Sequence, residues 1–305
     1  MAFKKDIPIY DIKAISYLKT EDILISRFAP YLDSRRNLCL PHKHDFYHLL
    51  LFTKGGGSHL IDFQRFVVQP YQIYFMNPGQ VHSWNFEGEV DGYVINFSIP
   101  FFQAFLLNPD YVQQLPCFSG ILANSVINIP ENLQAEVYKI FESIIEESEM
   151  GNKLSLDMIK ALMVQLFITI SRLVFENTNL NVKSNNYSTL RKFLNLIEKN
   201  VSILKFPSEY AELLYLTPNH LNAICKELLG KSAGEMIRNR VVLEAKRLMV
   251  NLDLSISEIA YELNFTDNSY FSKFFKKYTG KTPEEFRILT LEPNGGVLTH
   301  KEYLS

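Results

Sequence analysis

Two periods of hydrophobic alternation divide the chain. From Ile23 to about Ile129 the apolar residues fall in short β-rich runs, FYHLLLF, SHLIDFQRFVV, QIYFM, VDGYVINFSI and VINI. Many short strands at regular spacing predict a sandwich or barrel. Gly55-Gly56-Gly57, Asn77-Pro78-Gly79 and Gly88 read as turns between those strands. After Pro130 the period becomes helical. Leu133, Val137, Ile140, Phe141 and Ile144 recur at helical spacing in one segment. Ile159, Leu162, Met163, Leu166, Ile170 and Leu173 form a wider stripe in the next. That second stripe packs on the barrel of its own chain, pairs with a second subunit, or does both.

Asn177 to Asn186, NTNLNVKSNN, has no periodicity and reads as a linker. Beyond it the caps predict a series of short helices. Ser208 opens one. Thr217 with Pro218 opens a second, which Gly230 closes. A long helix runs from about Gly234 to Val250, Ser255 or Ser257 caps the next, and Asp267 caps one that Gly280 ends. Thr282-Pro283 starts the last, and VLTHKEYLS reads as a tail. The order helix, tight turn, helix occurs twice.

Length and composition fit two folded domains. The chain has 305 residues, 47% hydrophobic and 21% charged, enough apolar material for a core and too little charge for disorder. Three cysteines outside any CxxC pair argue for a reducing cytosol over a disulfide framework. The N-terminus lacks the apolar core of a signal peptide. The most apolar helical stretch, Ala161 to Phe175, reads as too short to span a membrane. Charge separates the halves: residues 1–186 hold 15 Lys and Arg against 19 Asp and Glu, residues 187–290 hold 15 against 12.

The two second helices have sharply divided faces. In the first, Leu221, Ile224, Cys225 and Leu228 share one side and Asn219, Asn222, Ala223 and Lys226 the other. In the second, Phe271, Phe274, Phe275 and Tyr278 are expected inside, with Asn268, Ser269, Ser272, Lys273 and Lys276 outside. Asn pairs with adenine edges, Ser with bases or phosphates, Lys with guanine or phosphate, and an alanine methyl suits thymine. The free faces therefore match the chemistry of major-groove DNA.

EAKRLM, SISEIAYELNF and SYFSKFFKKYTGKTPEEFR resemble the AraC/XylS family of bacterial transcription activators, which carry two helix-turn-helix units joined by a long helix. Asn264 stands where that family usually has glycine, in a turn of positive φ that Asn tolerates. The resemblance implies that Asn219, Asn222 and Ala223 of the first helix and Asn268, Ser269, Ser272 and Lys273 of the second face bases. Lys226, Lys276, Lys277 and Arg287 are then candidates for phosphate contacts. It also implies double-stranded DNA and RNA polymerase as partners, a homodimer, activation rather than repression, and no enzymatic activity.

In the N-terminal half, alternation from His42 puts His42, His44, Phe46, His48, Leu50 and Phe52 on one face, and NPGQVH brings His82 after a turn. These HxH and PGxxH patterns resemble the two motifs of the cupin barrel, with His48 where metal-bearing cupins have a glutamate. His42, His44, His48, His82 and Trp84 are thus expected to bind a small-molecule effector, with no cofactor required. Four imidazoles holding a transition ion, in a cupin metalloprotein or enzyme, are the alternative. Arg65 and Lys54 either bind an acidic effector or stay solvated, and His59 reads as a surface or strand histidine of no special role. Tyr47, Tyr74, Phe75, Tyr93 and Phe97 line a pocket or fill the core.

The fold class expected is α+β. A cupin-like effector-binding and dimerisation domain spans 1–178, with Ile159, Leu162, Met163, Leu166 and Ile170 as its dimer face. A linker at 179–186 leads to an all-α double helix-turn-helix domain at 187–291, followed by a flexible tail at 292–305. A DNA-binding regulator without an effector, its barrel serving only dimerisation, is a further alternative.

Overall fold

In the computed structural model, residues 8–12, 22–102, 105–106, 108, 111–121, 124–178 and 185–291 are described. They form two compact units, one within Pro8–Asn179 and one within Leu180–Ser305. The tail expected at 292–305 and most of the expected linker lie outside the described residues.

The N-terminal unit runs β1 (Ile9–Tyr10), β2 (Ile23–Arg27), α1 (Phe28–Asp33), β3 (Lys43–His44), β4 (Tyr47–Ile61), β5 (Gln64–Val67), β6 (Gln72–Met76) and β7 (His82–Phe97). It continues with α2 (Tyr111–Gln114), β8 (Val126–Asn128), α3 (Glu131–Met150) and α4 (Ser155–Thr178). Six strands make one antiparallel sheet in the order β2-β7-β4-β6-β8, with β5 on β4; β1 and β3 form a separate parallel pair. Among the described residues the sheet is not closed into a ring of hydrogen bonds, which keeps it compatible with a cupin-like jelly roll.

The glycines expected to break the chain into separate strands do something else. Gly55, Gly56 and Gly57 lie inside the 15-residue β4, and Gly88 lies inside the 16-residue β7. The β4–β7 register shifts between Phe52 and Lys54 and again between Lys54 and Gly56. Such bulges bend a strand, so the first half of β4 pairs with β6 and the second half with β5. Gly57 has φ 96°, and a Cβ there would strike the Asn85 carbonyl. Only Asn77-Pro78-Gly79 is the turn its sequence suggests.

Alternation then sorts the core. On the first half of β4, even-numbered Leu50 and Phe52 join Tyr74, Met76, Trp84 and Val94 on the inner face. Odd-numbered Leu49 and Leu51 join Ile73, Phe75, Tyr93, Ile95 and Phe97 beneath the helices. Those helices contribute Val137, Ile140, Phe141 and Ile144 from α3 and Ile159, Met163, Leu166, Phe167 and Ile170 from α4. Arg27 donates to Glu142 at 2.6 Å and to the Tyr93 hydroxyl at 2.7 Å, joining β2 and β7 to α3.

Two expectations fail here. Ile159, Met163, Leu166 and Ile170 are buried in their own unit's core, with Leu162 partly buried, so this stripe is not the dimer face assigned to it. The helix is also longer than the stretch Ala161 to Phe175. Ser155–Glu176 has a mean hydropathy of 1.7 and is long and apolar enough to cross a membrane by length and composition, although in this fold its apolar side covers the sheet.

The C-terminal unit is all helical: α5 (Asn185–Asn200), α6 (Pro207–Leu213), α7 (Pro218–Leu229), α8 (Ala233–Met249), α9 (Ile256–Glu262), α10 (Asn268–Thr279) and α11 (Pro283–Leu291). Helix α5 starts two residues inside the segment expected as linker. Capping chemistry fixes most starts. The Thr217 hydroxyl accepts from His220 N–H, Ser232 and Ser255 form capping boxes with Glu235 and Glu258, and Asp267 accepts from Ser269 and Tyr270. Helix α6 starts at Pro207 rather than after Ser208, because Glu209 accepts from the Lys205 and Phe206 N–H groups. Gly230 and Gly280 end α7 and α10 at φ 69° and 76°.

Gly57→Ala is expected to destabilise the N-terminal unit by about 2–4 kcal/mol, since both the backbone and the Asn85 carbonyl oppose the methyl. Gly79→Ala, at φ 82° with nothing within 4 Å, should cost only about 1 kcal/mol. Denaturant melts of the two variants measure the difference.

Candidate functional site

Each unit presents one chemically distinctive group of residues. In the C-terminal unit it is the pair of helices α7 and α10, each the second member of a helix-turn-helix. The two turns are built alike. After α6, Leu216 N–H reaches Ala211 C=O at 2.8 Å; after α9, Phe265 N–H reaches Ala260 C=O at 2.9 Å. In both, the residue before the closing donor, Tyr215 and Asn264, sits at φ 56°, the left-handed position of a Schellman turn. Asn264 also donates from Nδ2 to the Ile203 carbonyl at 3.0 Å, tying the second turn to the segment that leads into α6 and the first helix-turn-helix. Both helix-turn-helix units pack on α8.

Aromatic rings anchor α10. Phe271 and Phe275 are fully buried, with ring centroids 5.2 Å from Phe265 and 5.6 Å from Phe286 respectively. Leu221, Ile224 and Cys225 do the same for α7. Tyr278, expected inside, is 39% exposed with Arg238 over its ring, so packing stops one turn before the periodicity does.

The opposite faces hold the sequence-predicted residues. Asn219, Ala223 and Lys226 are exposed on α7, and Ser269, Lys273, Lys276 and Lys277 on α10, with Ser272 half-buried. Asn219, Asn222, Ala223 and Lys226 form one side of an open groove of about 590 Å³ completed by Pro207, Ser232 and Gly234. Three residues are less available than the sequence suggests. Asn222 Oδ1 accepts from Ala233 N–H at 2.9 Å, and Asn268 Nδ2 donates to Ser257 at 3.1 Å while its Oδ1 is buried. Arg287 donates to the Leu254 carbonyl at 2.7 Å with its Nε buried, which turns it inward rather than toward a phosphate.

In the N-terminal unit the distinctive group is a cluster of imidazoles on the inner face of the sheet. His42, His44, His48 and His82 are all buried, as is Trp84. The cluster includes a fifth member. His59 is fully buried, and its Nε2 lies 3.1 Å from His82 Nδ1, so it is no bystander. Its place follows from the glycine bulges: even-numbered residues of β4 face inward before them, odd-numbered His59 and Ile61 after them. Ring centroids lie 4.1 Å apart for His42 and His82, 4.7 Å for His42 and His44, and 5.1 Å for His44 and His48.

Burial keeps these rings neutral at pH 7. It pushes His42 down to about 4 and His48 to about 3, and holds His44, His59 and His82 well below the ordinary 6.5, with neighbouring imidazoles adding to the effect in all but His42. Asn96, which the sequence reading overlooks, accepts from His48 Nδ1 at 2.6 Å. Tyr74 shares this face, whereas Tyr47, Phe75, Tyr93 and Phe97 fill the helix-side core. Lys54 is exposed and paired with Glu89, and Arg65 is exposed on β5, so neither joins the cluster.

Comparison with known proteins matches each unit separately. Residues 28–166 match the AraC-like ligand binding domain and residues 210–288 a helix-turn-helix domain. The chain is an AraC/XylS-type regulator with an N-terminal sensor domain. Its relatives include the HTH-type transcriptional activator RhaR of Enterobacter sp. (strain 638), 21% identical over 252 residues, 83% of this chain and 88% of that protein. RhaR of Escherichia coli O139:H28 is 24% identical over 251 residues, 81% and 86% of the two chains. Among solved structures, fatty-acid-bound ToxT from Vibrio cholerae is similar at a TM-score of 0.42 and 14% identity, covering 90% of this chain and 97% of ToxT.

The repeated turns give a contrast within one molecule. Tyr215→Gly should stabilise the C-terminal unit by about 1 kcal/mol, because a 96% exposed side chain leaves a strained φ at no cost in packing. Asn264→Val should destabilise it by about 1–3 kcal/mol. Thermal unfolding of the two variants is the measurement.

Proposed function

We propose that this protein is a ligand-responsive, homodimeric transcription activator of the cytoplasm that reads duplex DNA through α7 and α10 and recruits RNA polymerase. The observation that carries the reading is the division of both recognition helices into a buried apolar face and a free polar or basic one. Twelve-residue helices have little stability of their own; packing against α8 leaves the other face available to base edges and phosphates. Two such helices on one long helix suit successive major grooves, about 34 Å apart. Activation is the habit of the family and the named activity of the RhaR relatives.

Base contacts fall to Asn219 and Ala223 on α7 and to Ser269, Ser272 and Lys273 on α10. Asn222 and Asn268, whose amides bond within the domain, act chiefly by setting the geometry of the turns. Lys226, Lys276 and Lys277 supply phosphate contacts, which add affinity and salt dependence without sequence preference. In the sensor unit the effector binds among His42, His44, His48, His59, His82 and Trp84. It regulates by binding one domain arrangement better than another.

Selection of duplexes from a random library gives the operator on which this is tested. Lys273→Ala should weaken binding to the selected sequence by about 1–3 kcal/mol and relax its preference at one position. Lys276→Ala should weaken selected and random duplexes alike and lower the salt slope by about 0.9. Unchanged affinity in both variants would refute the assignment of α10.

A further inference from the structure

The arginines of the long helix α8 are not used alike. Arg240 donates to Glu198 at 2.9 Å and to Glu244 at 2.7 Å, and Arg247 lies 3.7 Å from Glu244. Both have acidic partners within the unit. Arg238, half-buried on the same helix, has no carboxylate partner among the described residues. Its Nε is buried without a hydrogen bond. The acid one turn before it, Glu235, is committed elsewhere: Oε2 accepts from the Ser232 N–H at 2.8 Å and from the Ser232 hydroxyl at 2.7 Å. A guanidinium carries five N–H donors. Holding one partly out of water with no anion beside it is costly, so the arrangement is completed by an acceptor from outside the chain.

Two contacts fix where that acceptor sits. The guanidinium lies over the ring of Tyr278 in the last turn of α10, 5.4 Å from the centroid. Its Nη1 stands 3.0 Å from where a Cβ on Gly234 would be, so the missing side chain at Gly234 leaves it room. Gly234 also lines the groove that Asn219, Asn222, Ala223 and Lys226 form on α7. Arg238 therefore reaches from the edge of the α7 groove to the end of α10. Lys277 Nζ is 5.5 Å from the same Tyr278 ring, so the stretch from the groove to Tyr278 carries Lys226, Arg238 and Lys277. The exposure of Tyr278, which helical periodicity places inside, is then the exposure of a platform for a cation.

We propose that Arg238 binds a backbone phosphate of the duplex, between the two major-groove segments entered by α7 and α10, with Tyr278 fixing the direction of its fork. The proposal rests on the reading of α7 and α10 as the DNA-contacting helices. Successive major grooves on one face of B-DNA are separated by a minor groove edged with phosphates. A residue of the linking helix that lies between the two helices meets phosphate there. A planar guanidinium takes two phosphate oxygens at once and stacks on an aromatic ring, which an ammonium cannot do. The contact sets the register of both helices on the duplex and reads no sequence.

Full-length protein on the selected duplex gives the test, with single phosphates neutralised as methylphosphonates along both strands. In the wild type, neutralising one or two positions between the segments under α7 and α10 should weaken binding by roughly tenfold. Arg238→Gln should lose a similar factor on the unmodified duplex, lower the salt slope by about 0.9 and become indifferent to neutralisation at those positions. Its melting temperature should stay close to that of the wild type, because the charge it loses is unpaired. Arg238→Lys and Tyr278→Leu both keep the cation without its fixed fork, so each should bind more weakly at an unchanged salt slope. Should Arg238→Gln fold poorly, the wild-type phosphate series and Tyr278→Leu decide the question. A wild type with no sensitive phosphate between the two helices overturns the site whatever the variants do. So does an Arg238→Gln protein that binds as the wild type does, or one that binds weakly yet stays sensitive at the same phosphates, as a merely structural arginine would. A wild type that selects no sequence at all removes the reading of α7 and α10 instead.

Discussion

A helix of twelve residues such as α10 is too short to hold itself together, and the C-terminal unit is organised around that constraint. Phe271 and Phe275 are wholly inside, packed edge-on against Phe265 and Phe286, and Asp267 and Gly280 close the two ends of the helix. Local capping contributes about 1 kcal/mol at each such site, and burial of each large ring about 1.5–3 kcal/mol. Packing therefore dominates. Because the rings occupy one side only, Ser269, Lys273 and Lys276 stay in solvent without weakening the helix. The exposed face proposed to read DNA is possible because the stability comes from elsewhere.

The sensor unit applies a related division to a sheet. Two bulges in β4 let one strand serve both halves of the curled sheet and reverse which residues face inward. The outcome is an inner face where aromatic side chains surround five imidazoles, and an outer face sealed by α3 and α4. The inner face is expensive to assemble, since burial strips water from ring nitrogens that find no protein partner. That cost is the physical reason to regard the cluster as a binding site. A core with no function would place leucine or phenylalanine there.

Much of the C-terminal unit was legible because its signals are local. Thr217-Pro218, Ser255, Asp267, Gly230 and Gly280 each mark a boundary through their own chemistry, and the helix starts follow them. The N-terminal unit was legible in class and in part of its site: His42, His44, His48 and His82 fall on one face by simple alternation. His59 was not legible, because its direction depends on bulges created by pairing with β7, which no single strand reveals. The stripe from Ile159 to Ile170 was equally ambiguous. An apolar helix face suits a sheet or another subunit, and only the fold shows that α4 lies on its own sheet. The hydrogen bonds that commit Asn222 and Asn268 to their own turns were hidden for the same reason, since they join residues 11 apart across a helix boundary.

The central claim is that two helices of one chain read one face of a duplex. Chemical footprinting of the selected operator, with a probe of guanine N7 in the major groove, tests it most directly. The account predicts two protected clusters about one helical turn apart for each chain bound, the one under α10 lost in Lys273→Ala. A single protected cluster per chain, or two that persist unchanged when the exposed face of α10 is altered, would contradict it.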